Sequence, residues 1–369
     1  MRAAWQTKRL GDVATLQRGF DLPTQVRVAG EFPLVSSSGI SDTHHKSAIR
    51  GPGVVTGRSG SIGNVFFIGE DFWPLNTVLY VKDFHGNDPK FISYLLQKLD
   101  LRQFASGAGV PTLNRNVVHD ELVNIPLFSE QKRIVAILDE AFAGIGTAVT
   151  NAEKNLANAC ELFDSYLNSV FAQKGKEWVE NKIGEICENL DSRRVPITKS
   201  ERVKGDTPYY GASGIVDYVS GHLFDEEVLL ISEDGANLLA RTYPIAFSVS
   251  GKSWVNNHAH VVRFSRPEIQ KIVEFYLNSI SLAPYVSGMA QPKLNQKSLN
   301  SIPISVPPIA EQARIVEMAE TLQTGVERLE KIYREKLDAL AELKQAILRK
   351  AFAGELTAQP EKVLEEVAA

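Results

Sequence analysis

Cysteine is almost missing: Cys160 and Cys187 are the only two in 369 residues, and neither has a neighbour at C-x-x-C spacing. That excludes a disulfide framework and a thiolate zinc site, and it suits a reducing compartment. No G-x-x-x-x-G-K-[ST], H-E-x-x-H or G-x-S-x-G motif occurs, so nothing points to a phosphate-loop NTPase, a zinc protease or a serine hydrolase. The N-P-P-Y or D-P-P-Y tetrapeptide that amino-methyltransferases use on a flipped base is absent too, since Pro307-Pro308 lies between Val306 and Ile309. His44-His45 and His258/His260 could be metal ligands, but no cysteine or carboxylate cluster is expected to accompany them, so no metal centre is expected. Ser36–Ser38 reads as a turn rather than a nucleophile. No stretch reads as apolar enough to span a bilayer, and the N-terminus lacks the apolar run of a signal peptide; a soluble, cytoplasmic protein is the expectation.

A basic excess is missing as well. The net charge is −4, with 13 basic against 11 acidic residues in 1–129 and 15 against 15 in 174–310. Residues 130–173 and 311–369 are acidic, at 3 against 6 and 9 against 12. A DNA-binding protein that works alone usually shows a clear surplus of cations, because phosphate contacts carry much of its affinity. A chain this neutral that meets DNA would need another subunit to supply much of the grip.

What the sequence does contain is a second copy of itself. Trp73–Asn76 (W-P-L-N) returns 181 residues on as Trp254–Asn257 (W-V-N-N), and E-Q-K-R-I-V at Glu130–Val135 returns as E-Q-A-R-I-V at Glu311–Val316. The loop S-G-A-G-V-P-T-L-N at Ser106–Asn114 returns as S-G-M-A-Q-P-K-L-N at Ser287–Asn295. Nearer the start the offset is 173 (Trp5 to Trp178, Gly11 to Gly184) and then 175 (Gly39 to Gly214, Gly60 to Gly235). Offsets that grow in steps mark loop insertions on a common scaffold. Two similar domains related by a pseudo-twofold axis follow, an arrangement suited to a partner that is itself roughly twofold, such as duplex DNA.

The globular parts, 1–129 and 174–310, read as α+β. Val54-Val55 and Val228–Ile231 are apolar strands running into glycine-bearing turns, and Val65–Ile68, Val78–Val81 and His260–Phe264 are further strands. Phe91–Leu101 and Ile272–Leu282 have helical spacing. Residues 130–173 and 311–356 are different: apolar residues recur at steps of four and three, as in a heptad seam. The seam runs through Ile134, Leu138, Ala141, Ile145, Ala148, Ala152, Leu156, Ala159, Phe163, Tyr166 and Val170 in the first copy. In the second it runs through Ile315, Ala319, Leu322, Val326, Leu329, Tyr333, Leu337, Leu340, Ile347 and Ala351, with Lys344 breaking it beside Leu343. Two helices of about 40 residues, roughly 60 Å each, are expected to pair antiparallel between the globular halves. Gly144 and Gly325 share one repeat position, which suggests close backbone approach or a bend there.

The best local candidates for function flank Pro111 and Pro292, in G-V-P-T-L-N-R-N (Gly109–Asn116) and A-Q-P-K-L-N-Q-K (Ala290–Lys297). Leu113 and Leu294 can anchor these loops, and the residues after them are of the types that bind base edges and phosphates. Asn114 and Asn295 serve equally well to cap backbone amides; Arg115 and Lys297 have no such duty. The candidate DNA contacts are therefore Asn114, Arg115 and Asn116, and Lys293, Asn295, Gln296 and Lys297. Arg58 and Ser59 join them from the glycine-rich turn Gly57–Gly63, together with the cations Lys46, Arg241 and Lys252. The candidate helix interface is Ile134, Leu138, Ile145, Leu156 and Tyr166 with Ile315, Leu322, Val326, Leu329, Tyr333, Leu337 and Ile347.

The order of globular half, E-Q-x-R-I-V helix, globular half and a second such helix ending in A-F-A-G-E-L resembles the specificity (S) subunits of type I restriction–modification systems. The resemblance rests on P-L-F-S-E-Q-K-R-I-V (Pro126–Val135), P-P-I-A-E-Q-A-R-I-V (Pro307–Val316) and L-R-K-A-F-A-G-E-L (Leu348–Leu356), and it extends over nearly the whole chain. It implies two target-recognition domains (1–129 and 174–310), each reading one part of a split DNA sequence. It also implies two spacer helices (130–173 and 311–356) followed by a tail (357–369). The expected partners are double-stranded DNA, two modification (M) methyltransferase subunits and restriction (R) subunits. S-adenosylmethionine, ATP and Mg2+ would then be held by those partners, with no cofactor and no catalysis on this chain. The alternative is a coiled-coil interaction scaffold with duplicated ends and no DNA role.

Overall fold

The computed structural model describes residues 5–107, 111–288 and 291–357. Gly109, Val110 and Ala290 of the two candidate loops, and the tail from 358 on, lie outside them. The chain forms two compact units, one made of the residues up to Ala152 together with those from Glu335 on, the other of Glu153–Arg334.

In the first unit, an antiparallel sheet runs in the order Thr15–Arg18, Val78–Asp83, Gly53–Gly57, Val65–Ile68. The central Gly53–Gly57 strand is buried throughout, which its unbroken small and β-branched residues permit. A second sheet holds Gly39–His44, Phe32–Ser36 and Trp73–Pro74, with Leu34 paired in parallel to Trp73. A two-stranded ribbon joins Gln6–Arg9 to Leu122–Ile125. Helix α1 (Pro89–Lys98) starts at Asp88, whose carboxylate accepts from the amides of Lys90 and Phe91. It stops short of Leu101, because Asp100 caps a separate 3-10 turn, Leu101–Phe104. Helix α2 (Arg115–His119) follows the candidate loop, and α3 (Phe128–Ala172) begins soon after.

The second unit repeats this plan, with a fourth strand, Phe224–Asp225, in its second sheet. Its main sheet has the order Cys187–Asn189, Ala259–Phe264, Val228–Ser232, Ala246–Val249. Tyr209 pairs in parallel with Trp254 as Leu34 does with Trp73, and Val179 faces Val306 as Gln6 faces Ile125. The helices are α4 (Ile183–Ile186), α5 (Asn237–Ala240), α6 (Pro267–Ser279), α7 (Gln296–Ser301) and α8 (Ile309–Phe352). Helix α6 opens five residues before the apolar pattern does, because Pro267 suits a first helical turn.

In α3 every seam residue is buried or half-buried. In α8 the same holds for all of them but Leu329, which is 39% exposed. In the first unit Ile134 and Leu138, near the start of α3, share a core with Leu348, Ala351 and Phe352 at the end of α8. In the second unit Leu167, near the end of α3, packs with Ala319, near the start of α8. The helices thus run antiparallel in each unit. Fully burying one such aliphatic side chain contributes about 1.5–3 kcal/mol. Lys344 keeps the seam's phase rather than breaking it: it is half-buried, with its ammonium 5.2 Å from the centre of the Phe142 ring, while Leu343 is 47% exposed.

The glutamine of E-Q-x-R-I-V has a structural role. Gln131 Nε2 donates to the Pro126 carbonyl at 3.1 Å and Gln312 Nε2 to that of Pro307 at 2.8 Å, tying each long helix to the chain that enters it. Two sequence readings need correction. A Cβ at Gly144 or Gly325 would meet nothing within 4 Å, so no close approach occurs at either. And α3 is, by length and composition, apolar enough to cross a membrane, with an 18-residue stretch of mean hydropathy 1.3. Its Ile134 and Leu138 are buried in the core of the first unit.

Candidate nucleic-acid interface

Arg58 and Ser59 lie on the turn that leaves the central strand of the first sheet. Both amides donate to the Thr77 carbonyl, at 2.8 and 3.2 Å. The Arg58 carbonyl accepts from the Leu113 amide at 2.8 Å, and Ser59 bridges to Thr112. The turn and the Pro111 loop, over fifty residues apart in sequence, are thus clamped together. Leu113 is buried beneath them, and Asn114, Arg115 and Asn116 emerge exposed at the start of α2. Close packing at the turn demands glycine: a Cβ at Gly57 would lie 2.0 Å from the Ser61 carbonyl oxygen. The half-buried Arg58 side chain donates to the Asn76 carbonyl at 3.3 Å. Lys46 is exposed on a separate segment, after the Gly39–His44 strand.

The same framework returns in the second unit. The Glu233 amide donates to the His258 carbonyl at 2.9 Å, the Leu294 amide to the Glu233 carbonyl at 2.8 Å, and the Gly235 amide to the Pro292 carbonyl at 3.0 Å. Leu294 is buried, with Gln296 and Lys297 exposed at the start of α7. The asparagines share one duty: the side chain of Asn114 caps α2 by accepting from the Asn116 amide, and that of Asn295 caps α7 by accepting from Ser298. Their amide nitrogens remain for other partners.

Backbone agreement here carries opposite chemistry. In the 175 register Arg58 corresponds to Glu233 and Ser59 to Asp234. Glu233 is buried and accepts from Arg194 at 2.6 Å; Lys293 pairs with it at 3.1 Å. Asp234 faces His258 at 2.9 Å. Lys293 is therefore a neutralised cation rather than a free one. Lys252 is exposed on the strand Lys252–Val255.

Arg241 is not available to DNA. Its Nη2 donates to the carbonyls of Leu277 and Asn278, at 3.0 and 2.6 Å, closing the C-terminal turn of α6. Burial lowers its pKa, the charge of Asp164 only partly opposing this. The expectation that His260 has no carboxylates beside it is also overturned. Asp191, Glu233 and His260 bring their ligand atoms within 4.8 Å of one another. Arg194 and Lys293 are salt-bridged to these carboxylates, so the group is an ion network rather than a cation cage. Burial opposes ionisation of Asp191, but hydrogen bonds from His260 and the Val261 amide, with the charge of Arg194, hold its carboxyl below the usual range. The register that pairs Arg58 with Glu233 was the only sequence signal for this network; S-E-D-G otherwise reads as a surface turn.

In the first unit, His119 Nε2 accepts from the Leu16 amide at 2.8 Å, which requires that nitrogen to be unprotonated. Burial lowers the His119 pKa, and the neighbouring charge of Arg115 lowers it further.

The family model for the type I restriction modification DNA specificity domain matches residues 3–157 and again 175–338. A type I restriction enzyme specificity subunit of Haemophilus influenzae is 36% identical over 158 residues, 42% of this chain and 40% of the relative. The EcoDI specificity subunit of Escherichia coli is 47% identical over 68 residues, 18% of this chain and 15% of the relative. These alignments thus span less than half the length of the curated relatives. A chain solved in work on assembly and conformational transition of the type I R-M system has TM-score 0.73 at 20% identity, covering 95% of this chain and 98% of that one. The HsdS subunit of Thermoanaerobacter tengcongensis has TM-score 0.53 at 21% identity, covering 95% and 97%.

Proposed function

The chain belongs to the type I restriction modification DNA specificity family, and from that premise we propose that it is the non-catalytic reading subunit of a methyltransferase–endonuclease complex, recognising a bipartite, asymmetric DNA target. Residues 1–129 and 174–310 are its two heads. The observation that carries this reading is the duplicated loop clamp: one hydrogen-bond framework leads to exposed Asn114, Arg115 and Asn116 in one head and to exposed Gln296 and Lys297 in the other, with Arg58 at the clamp of the first and a buried Glu233 at that of the second. Equal scaffolds with unequal side chains suit two different half-sites, since base edges are discriminated by donor and acceptor pattern.

Residues 130–173 and 311–356 set the unread gap and dock two M subunits, and through them R subunits. Exposed apolar side chains on these helices, among them Leu162, Met318 and Ile332, are the kind of surface a partner covers. S-adenosylmethionine would be held by M, and ATP with Mg2+ by R, in the cytoplasm where the DNA lies. The near-neutral heads support a reader whose phosphate grip is completed by its partners.

The test is to express the chain with and without its M subunit, measure DNA binding at fixed salt, and sequence the methylome. A split, asymmetric methylated motif that appears only with both subunits is expected. Tight sequence-specific binding by the chain alone would overturn the shared grip, and an M subunit that methylates the same motif without this chain would overturn the reading role.

A further inference from the structure

Four residues of the second unit, Asp191, Arg194, Glu233 and His260, form a largely buried charged network that has no counterpart among the described residues of the first unit. In the repeat registers their counterparts are Arg18, Asp21, Arg58 and Leu79. Strand pairing fixes the last of these: His260 lies opposite Ile231 as Leu79 lies opposite Thr56. The fold itself therefore does not require the charges, since the same strand position accepts leucine.

What the network touches is the loop. His260 Nε2 donates to the Leu294 carbonyl at 2.7 Å, while the Leu294 amide donates to the Glu233 carbonyl at 2.8 Å. The Glu233 carboxylate reaches Lys293 through one oxygen and Arg194 through the other. Arg194 is pinned in turn by the Ala259 carbonyl at 2.7 Å and by Asp191 at 3.4 Å. Asp191 closes the circuit, with Oδ2 2.6 Å from His260 Nδ1 and Oδ1 accepting from the Val261 amide. Leu294 is thus held at both its N–H and its C=O, and Lys293 by its side chain. The first head holds the corresponding Leu113 by its amide, which donates to the Arg58 carbonyl, and by main-chain strand pairing with Ala105, with no charged side chain in that role among the described residues.

We propose that this network is a positioning element: it fixes the Lys293–Leu294 segment, and through it Asn295, Gln296 and Lys297, in the geometry with which the second head reads its half-site. Buried ion networks are weak contributors to net stability, and geometric specificity is a better-founded role for them. The inference rests on the DNA-reading function proposed above.

Two variants test it in the full chain. Glu233→Gln keeps the shape but removes the charge and turns one of the two accepting oxygens into a donor that faces a cation; His260→Leu copies the first head. Amide hydrogen exchange without DNA is expected to quicken at least about tenfold at Lys293 and Leu294, with Leu113 unchanged. Methylation by the complex with M, profiled over a library varying each half-site, should relax at the second half-site alone. Unchanged exchange in Glu233→Gln overturns the proposal even if His260→Leu fails to fold. Quickened exchange with intact selectivity, or equal damage at both half-sites, also overturns it. If the wild-type complex methylates no library member, the DNA-reading function has failed instead, and the exchange result still decides whether the network holds the loop.

Discussion

Removing the exposed cation of one head should damage one half-site and spare the other. Lys297 is exposed at the start of α7, two residues past its cap, and Arg115 is exposed at the start of α2. Neither side chain enters the hydrophobic core, so alanine at either position should leave the fold's stability within about 0.5 kcal/mol of wild type. A compact ammonium acts as a point charge, which favours a phosphate contact for Lys297. Loss of one phosphate contact removes about 0.9 from the slope of log K against log salt. Between 50 and 200 mM salt, the Lys297→Ala complex should accordingly lose about 3.5-fold less affinity than wild type does. Its methylation should weaken evenly over all bases of the second half-site. Arg115 can grip guanine through two donors, and if it does, Arg115→Ala should cost about 1–3 kcal/mol and relax one position of the first half-site. The assay is binding at several salt concentrations for the assembled complex, together with methylation across a library randomised at each half-site. Equal degradation of both half-sites by both variants, or no effect from either, would refute the assignment of these loops to DNA.

Inserting four residues, one turn of about 6 Å, into one of the long helices should lengthen the unread gap by about one or two base pairs; methylation still confined to the original spacing would show that the helices are not the ruler. Gly144→Ala and Gly325→Ala should each stabilise the free chain by about 0.8–1 kcal/mol in denaturant unfolding, because the added methyl meets nothing and helix propensity improves; loss of M-subunit binding in the same variants would identify the glycines as a partner's contact. His119 should make the first head acid-sensitive. Its folded pKa lies below the ordinary 6.5, so the unfolded chain takes up a proton first as the pH falls, and stability is lost from about pH 6.5 downward. Arg115→Ala should raise the His119 pKa measured by NMR and blunt that loss.

The duplication was legible because insertions between the copies change the offset in discrete steps and leave long stretches in register. Once aligned, Trp73 and Trp254 fall at the same parallel pairing, and Leu113 and Leu294 under the same clamp. Strands such as Val65–Ile68 were legible from β-branched and aromatic residues. The ribbon strand Gln6–Arg9 was not, because all four of its residues are exposed and no apolar alternation marks it. Arg241 misled for a different reason: only the folded backbone, with its positive φ, turns the guanidinium back onto α6. Lys344 misled because composition alone reads a lysine in a seam as a break, whereas a long aliphatic stem and the Phe142 ring let it stay.

Equivalent positions at the clamp carry opposite charge on one backbone scaffold. The Arg58 and Glu233 carbonyls accept the same amide from the same loop, so the backbone clamp is indifferent to the side chain that leaves it. Because this part of the clamp is made by main-chain groups, it forms with either sign of side chain, and the network around Glu233 adds a second hold on the loop in the second unit. The added charge must still be satisfied locally: Arg58 leans on a carbonyl, whereas a buried Glu233 needs Arg194 and Lys293 around it. Changing the chemistry at the clamp therefore changes its neighbours as a group. A single exchange such as Glu233→Arg would leave Arg194 facing another cation in a buried site, a cost of several kcal/mol, so the chemistry at the clamp itself changes through sets of compensating residues.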